Sequence, residues 1–538
     1  GFGLAVALDR DEQPSAAFEV LRSLGPDALE RFVAEVASEQ VFFVPDGEVA
    51  YYLGLATIDA AGIRSTVTAV GPIVPRFTQT GALTAPTSTG DVGLGARLAH
   101  GLFNDDDFGD VAVAAPGADG GAGAVYVYFG SSAGISDSPG LTLSGPGAGA
   151  AFGAGLTALR WSSASRDDLV VGAPGGDAGR GQVLVWSGGA AFPVGAADAS
   201  SAPLVLGVDA GAPGWFAGAG LGANLTRIRF DDDGVDDLAI AAPGGGGGAS
   251  GVVLVYGGTL GPSPVLLSSV TSAGSGTTVV ELFVDPVGSA ATVGAALVDV
   301  GPTASAGDVS SDLLIGYSDD GAANNDLLYL LRGGARPGSA GVHARTLGAA
   351  DLTLRYTVAD SSTDFGQTAA GVGDVDGDGV GDVAVGAWRF GADRGQVFVV
   401  RGGLTGDREI TAGGTALTTF TGSTDGAALG AAVAAGAGDV DADGQPDLLV
   451  VGRAAGVARL FVWFGGAVPT GSSSEASADY VVLGPASFAL ATPGAGGPPA
   501  QARWIGDVNR DGLADVCWAS PADSGGDGGF EVLWDDGP

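Results

Sequence analysis

The chain is poor in the residue types that build disulfide frameworks, catalytic bases and nucleic-acid surfaces. Its 538 residues include one Cys and two His but no Met and no Lys. A disulfide framework is excluded because Cys517 has no second thiol to pair with, and its place in "DVCWAS" favours a buried apolar role. With 61 acidic against 23 basic residues, the surface repels phosphates, which argues against nucleic acid as a partner.

Long apolar segments and catalytic motifs are missing as well. The longest apolar candidate, Gly426–Gly438, is short and rich in Gly and Ala, so the sequence predicts no membrane span. No nucleophile elbow, zinc-protease helix or phosphate loop occurs, and the two histidines, His100 and His343, lie in different repeats. The sequence therefore predicts no enzyme activity. A start without Met indicates a mature or excised fragment from which any signal peptide has gone.

Seven copies of one pattern follow each other along the chain. In each copy an Asp opens a short apolar strand, a Gly-rich loop follows, and a second strand such as "GAVYVYFG" comes next. The copies are 58 to 75 residues apart, which indicates a repeat architecture. Short β-branched and aromatic runs between Gly-rich turns predict an all-β unit of about four strands, and seven such units in a ring form a seven-bladed β-propeller. The seven Asp residues are Asp110, Asp168, Asp237, Asp312, Asp382, Asp447 and Asp515.

Three of the loops before these strands are strongly acidic, namely "GDVDGDGVGD", "GDVDADGQPD" and "GDVNRDGLAD". Carboxylates at alternate positions, with Gly between them, form an oxygen cage suited to Ca²⁺. A water-filled turn is the weaker alternative, because four uncompensated carboxylates repel each other. An EF-hand would need an acid at the twelfth position, where Val385 stands. The predicted Ca²⁺ ligands are Asp374, Asp376, Asp378, the Val380 carbonyl and Asp382; Asp439, Asp441, Asp443, the Gln445 carbonyl and Asp447; and Asp507, Asn509, Asp511, the Leu513 carbonyl and Asp515.

The other four loops keep less of the pattern. Loops 160–168 and 304–312 lack the ligand set and are predicted to hold no metal. Two loops leave metal binding open: 102–110, with Asn104, Asp106 and Asp110, and 229–237, with Asp231, Asp233 and Asp237. In the second of these, the guanidinium of Arg229 is an alternative to a bound cation.

The repeat resembles the FG-GAP repeat, which builds the seven-bladed propeller of integrin α subunits and of many bacterial surface proteins. The resemblance extends from about Thr78 to the C-terminus and is strongest in the three acidic loops and in the "APG" of the first three copies. It implies a calcium-stabilised, secreted or surface-displayed adhesion module that recognises a protein or glycan partner. The alternative is a lectin-like or accessory propeller that targets a larger secreted enzyme.

The resemblance also implies that the calcium loops lie on the face opposite the ligand. The loops after each second strand, among them Gly117–Ala124, Trp388–Gly395 and Pro521–Gly529, are then expected to share the ligand face. In the second of these loops, "AWRFGADRG", the side chains of Trp388 and Phe390 form either an interface anchor or a plug against the neighbouring blade.

Residues 1–75 form a different unit. Their apolar runs resemble the later strands of a fibronectin type III domain, so the sequence predicts a small β-sandwich with a short or absent first strand, as in a piece of a longer chain. The alternative is a helix over Pro14–Gln40. The propeller then covers residues 76–538. Its last repeat ends after Gly529–Trp534 without an outer strand, and residues 77–85 are predicted to supply that strand and close the ring.

Overall fold

In a computed structural model, the chain divides into two compact units. The first comprises Gly1–Thr80, Arg510–Leu513 and Leu533–Pro538, and the second comprises Gly81–Asn509 and Ala514–Val532. No helix in the described part of the chain is long and apolar enough to cross a membrane. The structure describes residues 2–5, 17–23, 30–36, 40–43, 51–58, 68–73, 78–79, 93–132, 134–162, 165–209, 220–231, 233–244, 250–258, 263, 265–267, 279–284, 292–305, 307–318, 326–337, 341–356, 363–410, 415–434, 447–454, 457–465, 471–484, 500–506, 515–520 and 529–534.

The described residues of the N-terminal segment lie in strands. One sheet pairs β1 with β4, and a second has the order β3-β2-β5-β6. The region for which a helix was the alternative prediction contains strands instead, since its apolar residues alternate in runs too short for helical turns. The strands are β1 (Phe2–Ala5), β2 (Ala17–Ser23), β3 (Glu30–Val36), β4 (Gln40–Phe43), β5 (Tyr51–Ile58) and β6 (Thr68–Ile73).

From Thr78 onward, the described residues form seven sheets, one for each sequence repeat, so the predicted seven-bladed β-propeller is confirmed. The strands are β7 (Thr78–Gln79), β8 (Arg97–Gly101), β9 (Asp110–Ala115), β10 (Ala124–Tyr128), β11 (Leu141–Ser144), β12 (Gly155–Leu159), β13 (Asp168–Ala173), β14 (Gln182–Trp186), β15 (Gly195–Asp198), β16 (Leu204–Gly207), β17 (Leu225–Ile228), β18 (Asp237–Ala242), β19 (Gly251–Val255), β20 (Val265–Leu266), β21 (Val279–Val284), β22 (Thr292–Asp299), β23 (Leu313–Ser318), β24 (Leu327–Leu331), β25 (Gly341–Thr346), β26 (Leu352–Arg355), β27 (Ala369–Gly373), β28 (Asp382–Ala387), β29 (Gln396–Val400), β30 (Gly406–Glu409), β31 (Ala416–Thr421), β32 (Ala432–Ala434), β33 (Leu448–Ala454), β34 (Val457–Trp463), β35 (Gly471–Ser474), β36 (Tyr480–Leu483), β37 (Gln501–Gly506), β38 (Asp515–Ser520) and β39 (Gly529–Trp534).

Short helical turns accompany the strands. Three four-residue helices follow the second strand of their blades: α1 (Ala118–Gly121), α2 (Gly176–Gly179) and α3 (Phe390–Asp393). Three 3₁₀ turns, Ala199–Ser201, Leu347–Ala349 and Glu475–Ser477, lie between the third and fourth strands.

The first five blades each contain a fifth strand that the sequence analysis did not predict. It comes from the connection between the third and fourth strands of the following blade and pairs in parallel with the outermost strand. In blade 1, for example, β15 of the second repeat lies beside β11, with Leu141 opposite Gly195. Each of these sheets is thus completed by its successor.

The first strands of the seven blades form a closed ring within the second unit. Each contacts the next in the order β8, β12, β17, β22, β27, β32 and β37, and β37 contacts β8. Apolar cores lie between consecutive sheets; the one between blades 1 and 2 contains Phe152 and Trp186, whose ring centroids are 6.0 Å apart. The core is therefore divided among the blade interfaces.

The last sheet has the order β37-β38-β39-β7. Gln79 lies opposite Leu533 and Thr78 opposite Trp534, in antiparallel register. Its fourth strand therefore comes from the segment that precedes the first blade. The domain boundaries at residues 75 and 76 stay a prediction.

Candidate metal centre

Each described loop is fixed by the Asp that opens the second strand of its blade. In blade 1, Asp110 is fully buried, and its Oδ2 accepts hydrogen bonds from the backbone N–H groups of Phe103 at 2.9 Å and Asn104 at 3.4 Å. Its Oδ1 accepts a third bond from Gly130 N at 3.0 Å. One carboxylate thus joins the start of the loop to the end of the third strand. Equivalent bonds are made by Asp168, Asp237, Asp312 and Asp382, and Asp447 accepts from Gly465 N.

The partner of this carboxylate has to be Gly. A Cβ atom on Gly130 would lie 2.1 Å from the carbonyl oxygen of Gly109, and one on Gly402 would lie 2.2 Å from that of Gly381. Any larger residue would push the third strand away from the buried carboxylate. The "GG" after the third strand of several repeats is therefore explained by close backbone approach.

This geometry adds a role that the sequence analysis missed. The sequence pattern predicts Asp382 only as the closing Ca²⁺ ligand. The same Asp makes the same backbone bonds in loops without the ligand set, where Asp168 also accepts from Ser162 Oγ and Asp312 from Thr303 Oγ1 at 2.5 Å. The signal was present in the sequence, because all seven repeats keep this Asp while only three keep the acidic loop.

Burial gives these carboxylates an unusual titration. It raises the pKa of Asp110 and of Asp237 from 3.8 to about 7, against the lowering effect of the backbone N–H bonds. Between about pH 4 and about pH 7 the folded chain therefore binds more protons at these groups than the unfolded chain does. Their contribution to the free energy of unfolding is present at low pH and decreases as the pH rises through this window.

We expect the wild type to lose more stability than an Asp110→Asn variant between about pH 5 and about pH 8. The variant lacks one of the titrating groups, so its free energy of unfolding should depend less steeply on pH. Urea unfolding of both proteins at several pH values measures the difference. Parallel curves would contradict the assignment.

The acidic loop of blade 5 brings three carboxylates together. Asp374, Asp376 and Asp382 each offer an oxygen atom, and these atoms lie within 4.8 Å of one another. Asp378 lies outside this group; it is exposed, and its Oδ1 accepts a hydrogen bond from Val380 N at 2.9 Å. The structure thus groups three of the four carboxylates predicted for this site.

The loop holds these groups through its own backbone. Asp374 Oδ1 accepts from Gly377 N at 2.7 Å and from Asp378 N at 3.0 Å, and its Oδ2 accepts from Gly379 N at 2.7 Å. Burial first, and the nearby charges of Asp376 and Asp378 in addition, raise the pKa of Asp382 to about 6. Negative charge is therefore concentrated at one point of a fixed turn.

A cationic side chain already lies against this cluster. Arg401 Nη2 is 2.6 Å from Asp376 Oδ2, an oxygen that is buried and has no hydrogen-bond partner of good geometry among the described residues. The all-oxygen donor set with Gly at the turns suits a hard cation such as Ca²⁺. The residues present therefore fit the ion, with Arg401 as its competitor.

The two other predicted calcium loops lie largely outside the described residues. This applies to Asp439, Asp441, Asp443, Gln445, Asp507, Asn509, Asp511 and Leu513. Only the strand-opening residues Asp447 and Asp515 are described, and both are fully buried.

In the loop of blade 3, a guanidinium pairs with the acidic side chains, but it is a different one from that considered in the sequence analysis. Arg336, from the following blade, lies 3.8 Å from Asp231 Oδ2 and 3.2 Å from Asp233 Oδ2. Arg229 instead pairs with Asp236 at 3.0 Å. Residues 103 positions apart form this contact, which explains why local spacing did not reveal it.

In the loop of blade 1, the side-chain amide of Asn104 forms a hydrogen bond with the carboxylate of Asp106. Asn104 Nδ2 donates to Asp106 Oδ2 at 2.6 Å, and Asp106 N donates to Asn104 Oδ1 at 2.9 Å. Arg166 pairs with Asp107 at 3.1 Å, outside the predicted ligand positions. This loop therefore carries less unbalanced charge than that of blade 5.

A cavity of about 470 Å³ lies between the loops of blades 4 and 5. Asp299, Asp308 and Asp374 contribute to its walls, together with backbone of several Gly residues. One ligand carboxylate of the acidic cluster is thus reachable from an open groove.

The aromatic side chains at the opposite ends of these strands are packed. Trp388 is only 7% exposed, and its ring lies 5.8 Å from the guanidinium of Arg389. Phe390 lies 6.2 Å from Tyr356 of the preceding blade. Of the two interpretations of this loop, the geometry supports the plug against the neighbouring blade.

No protein-family model and no curated protein matches the sequence. Among solved structures, an exotype rhamnogalacturonan lyase, YesX, is 12% identical with a TM-score of 0.37, covering 98% of this chain and 86% of that one. The Dos1 propeller is 10% identical with a TM-score of 0.34, covering 84% and 95%. A Bacillus licheniformis rhamnogalacturonan lyase is 10% identical with a TM-score of 0.29, covering 98% and 86%. At these scores the likeness has no bearing on the activity of this chain.

Proposed function

We propose that the chain is a calcium-stabilised, extracellular binding module of the FG-GAP type, without enzyme activity, that recognises a protein or glycan partner. The observation that carries the proposal is the cluster of Asp374, Asp376 and Asp382 in a loop fixed by its own backbone. In this proposal Ca²⁺ neutralises the carboxylates and stabilises the blade. In the same proposal, the N-terminal strands belong to a fibronectin type III-like domain.

The burial of Asp382 supports a structural role for the ion. This carboxylate joins the loop to Gly402 N at 2.8 Å and to Val375 N at 3.0 Å, so an ion bound beside it would tighten the connection between two strands. Loss of the ion should then loosen blade 5 and leave the helical-turn ends of the strands in place. Removal of calcium should therefore lower the stability of the blade without abolishing partner binding.

We expect Asp374→Asn to weaken Ca²⁺ binding at blade 5 by at least about tenfold, because one charged ligand is lost. Arg401→Gln should strengthen it by up to about fivefold, since the competing ion pair with Asp376 disappears. Isothermal titration calorimetry with CaCl₂ measures both affinities, and thermal denaturation with and without EDTA measures the stabilisation. Asp137→Asn is the matched control, because Asp137 is exposed and distant in sequence from the loop.

Two outcomes would contradict the calcium proposal. The first is a melting temperature that EDTA leaves unchanged. The second is equal Ca²⁺ affinity in the Asp374→Asn and Asp137→Asn variants. The partner class is tested separately with a glycan array and a pull-down from surface proteins, using the calcium-loaded chain in both.

A further inference from the structure

Four basic side chains occupy the innermost strands of the propeller. Arg97 and His100 lie on β8, Arg227 on β17 and Arg503 on β37. In a chain of formal net charge -38, basic residues normally find carboxylates nearby. This group is therefore unexpected, and we call it the basic cluster.

The strand register places three members of the basic cluster at similar positions along the inner strands. His100 lies opposite Val111, and Arg227 opposite Leu238, each one residue beyond the strand-opening Asp. Arg503 lies opposite Cys517, one residue further along. Arg97 is three residues from His100 on the same strand, so the cluster spans about 10 Å along the inner strands.

The charges of the cluster act on each other. Burial, and then the positive charge of Arg503, lower the pKa of Arg97 to about 10. Burial, Arg503 and Arg227 lower the pKa of His100 to about 3, and Asp167 opposes them only weakly. Among the described residues, no carboxylate contributes to the pKa of Arg97 or of Arg503. Within the described part of the chain, the two guanidinium groups therefore have no carboxylate as counter-charge.

The acidic side chains near the cluster are already engaged. Asp167 accepts hydrogen bonds from Arg160 Nε at 2.8 Å and from Leu102 N at 2.9 Å. Asp236 accepts from Arg229 Nε at 3.0 Å and lies 4.0 Å from Arg227 Nη1. These contacts compensate Arg227 in part, but no carboxylate among the residues that the structure describes compensates Arg97 or Arg503.

Three buried polar atoms of the same two strands also have no hydrogen-bond partner in the described part of the chain. They are Arg97 Nε, His100 Nδ1 and Trp504 Nε1. Buried polar groups in native proteins are nearly always satisfied, so three such atoms on the neighbouring strands β8 and β37 indicate a missing partner. A group with several acceptor oxygens would satisfy them.

The members of the cluster are not fully buried. Arg97, His100 and Arg503 are each partly exposed, although they lie on the innermost strands. These strands surround the axis of the ring, where a β-propeller has its central channel.

We propose that the central channel binds an oxyanion of a small ligand, a carboxylate, phosphate or sulfate, between Arg97 and Arg503, with His100 and Trp504 at its margin. Guanidinium groups bind such anions through paired hydrogen bonds, and a site removed from bulk water strengthens them. The proposal is independent of the calcium site, since no residue is shared. It gives this acidic protein a second, separate binding property.

Calorimetric titration with inorganic phosphate, sulfate and acetate, in Tris-chloride with ionic strength matched by NaCl, tests the site. We expect saturable binding of at least one anion at one site per chain, and its identity selects the ligand class. Arg503→Gln and Arg97→Gln should each weaken that binding by at least about tenfold. Arg408→Gln, at an exposed position on β30, should not.

The two histidines provide a readout that needs no variant. In NMR spectra of the wild type, the imidazole signals of His100 should shift on anion addition with the calorimetric affinity, while those of His343 stay in place. Without anion, Arg503→Gln should not lower the melting temperature, because the removed charge is uncompensated. Three results would overturn the proposal. They are an affinity for every tested anion no higher than that for chloride, His100 signals that do not shift, and an equal loss of anion affinity in the Arg503→Gln and Arg408→Gln variants.

Discussion

A chain that begins at Gly90 is expected to melt at a markedly lower temperature than one that begins at Pro75. The shorter chain lacks Thr78–Gln79, which pair with Leu533 and Trp534 as the fourth strand of the last sheet. Without β7, the outer edge of β39 has no paired strand. Unpaired strand edges promote aggregation. The effect should be large because β39 also supports the seam between the last and the first blade.

That seam contains a direct aromatic contact. The ring centroids of Phe530 on β39 and Tyr128 in blade 1 are 5.0 Å apart, and both side chains are fully buried. Circular dichroism during heating measures the melting temperature, and size-exclusion chromatography detects aggregation. The chain from Pro75 is the control, since it keeps the pairing strand and loses the same N-terminal sheets. Equal melting temperatures would show that Thr78–Gln79 do not contribute to closure.

The second large effect is expected from Asp237→Asn. Asp237 Oδ2 accepts from Phe230 N at 2.9 Å, and its Oδ1 accepts from Gly257 N at 2.8 Å. An amide replaces one acceptor oxygen with a donor, which faces an N–H group that is then left unsatisfied in the interior. Loss of these buried hydrogen bonds should lower the free energy of unfolding by about 3 kcal/mol.

Asp233→Asn in the same loop is the matched control. Asp233 Oδ1 accepts from Val235 N at 2.8 Å, and its Oδ2 pairs with Arg336, but both contacts are partly exposed. Exposed ion pairs contribute little, so this variant should lose less than about 1 kcal/mol. Urea unfolding monitored by Trp fluorescence compares the two. Similar losses would mean that the strand-opening Asp has no special part in the fold.

The repeat count and the blade architecture were predictable because they depend on local sequence. Each second strand is a run of apolar residues behind one Asp, and in the first five blades the third strand is followed by a Gly whose Cβ would have no space. The fifth strands were not predictable, since segments such as "GAAD" and "GSSS" have no apolar alternation. Their pairing depends on a strand of the neighbouring blade, and the spacing of residues in the sequence does not predict that contact.

The candidate sites show the same division. The grouping of Asp374, Asp376 and Asp382 follows from their alternate positions in one turn. The pairing of Arg336 with the loop of blade 3 and the basic cluster on the inner strands bring together residues from different repeats. Such contacts arise from the closure of the ring, and they have no local sequence pattern.

The parallel fifth strands have a consequence for how such rings gain and lose members. A sheet in the first five blades contains a strand from the next repeat, so cutting out one whole sheet would damage the repeat that follows. Deleting one full sequence repeat instead removes two elements together. They are the fifth strand that this repeat supplies to the preceding sheet and the outermost strand that pairs with the fifth strand from the following repeat. The outermost strand of the preceding sheet can then pair with the strand supplied by the following repeat, as it did before the deletion. Duplication and deletion by whole periods are therefore the changes in blade number that this architecture tolerates.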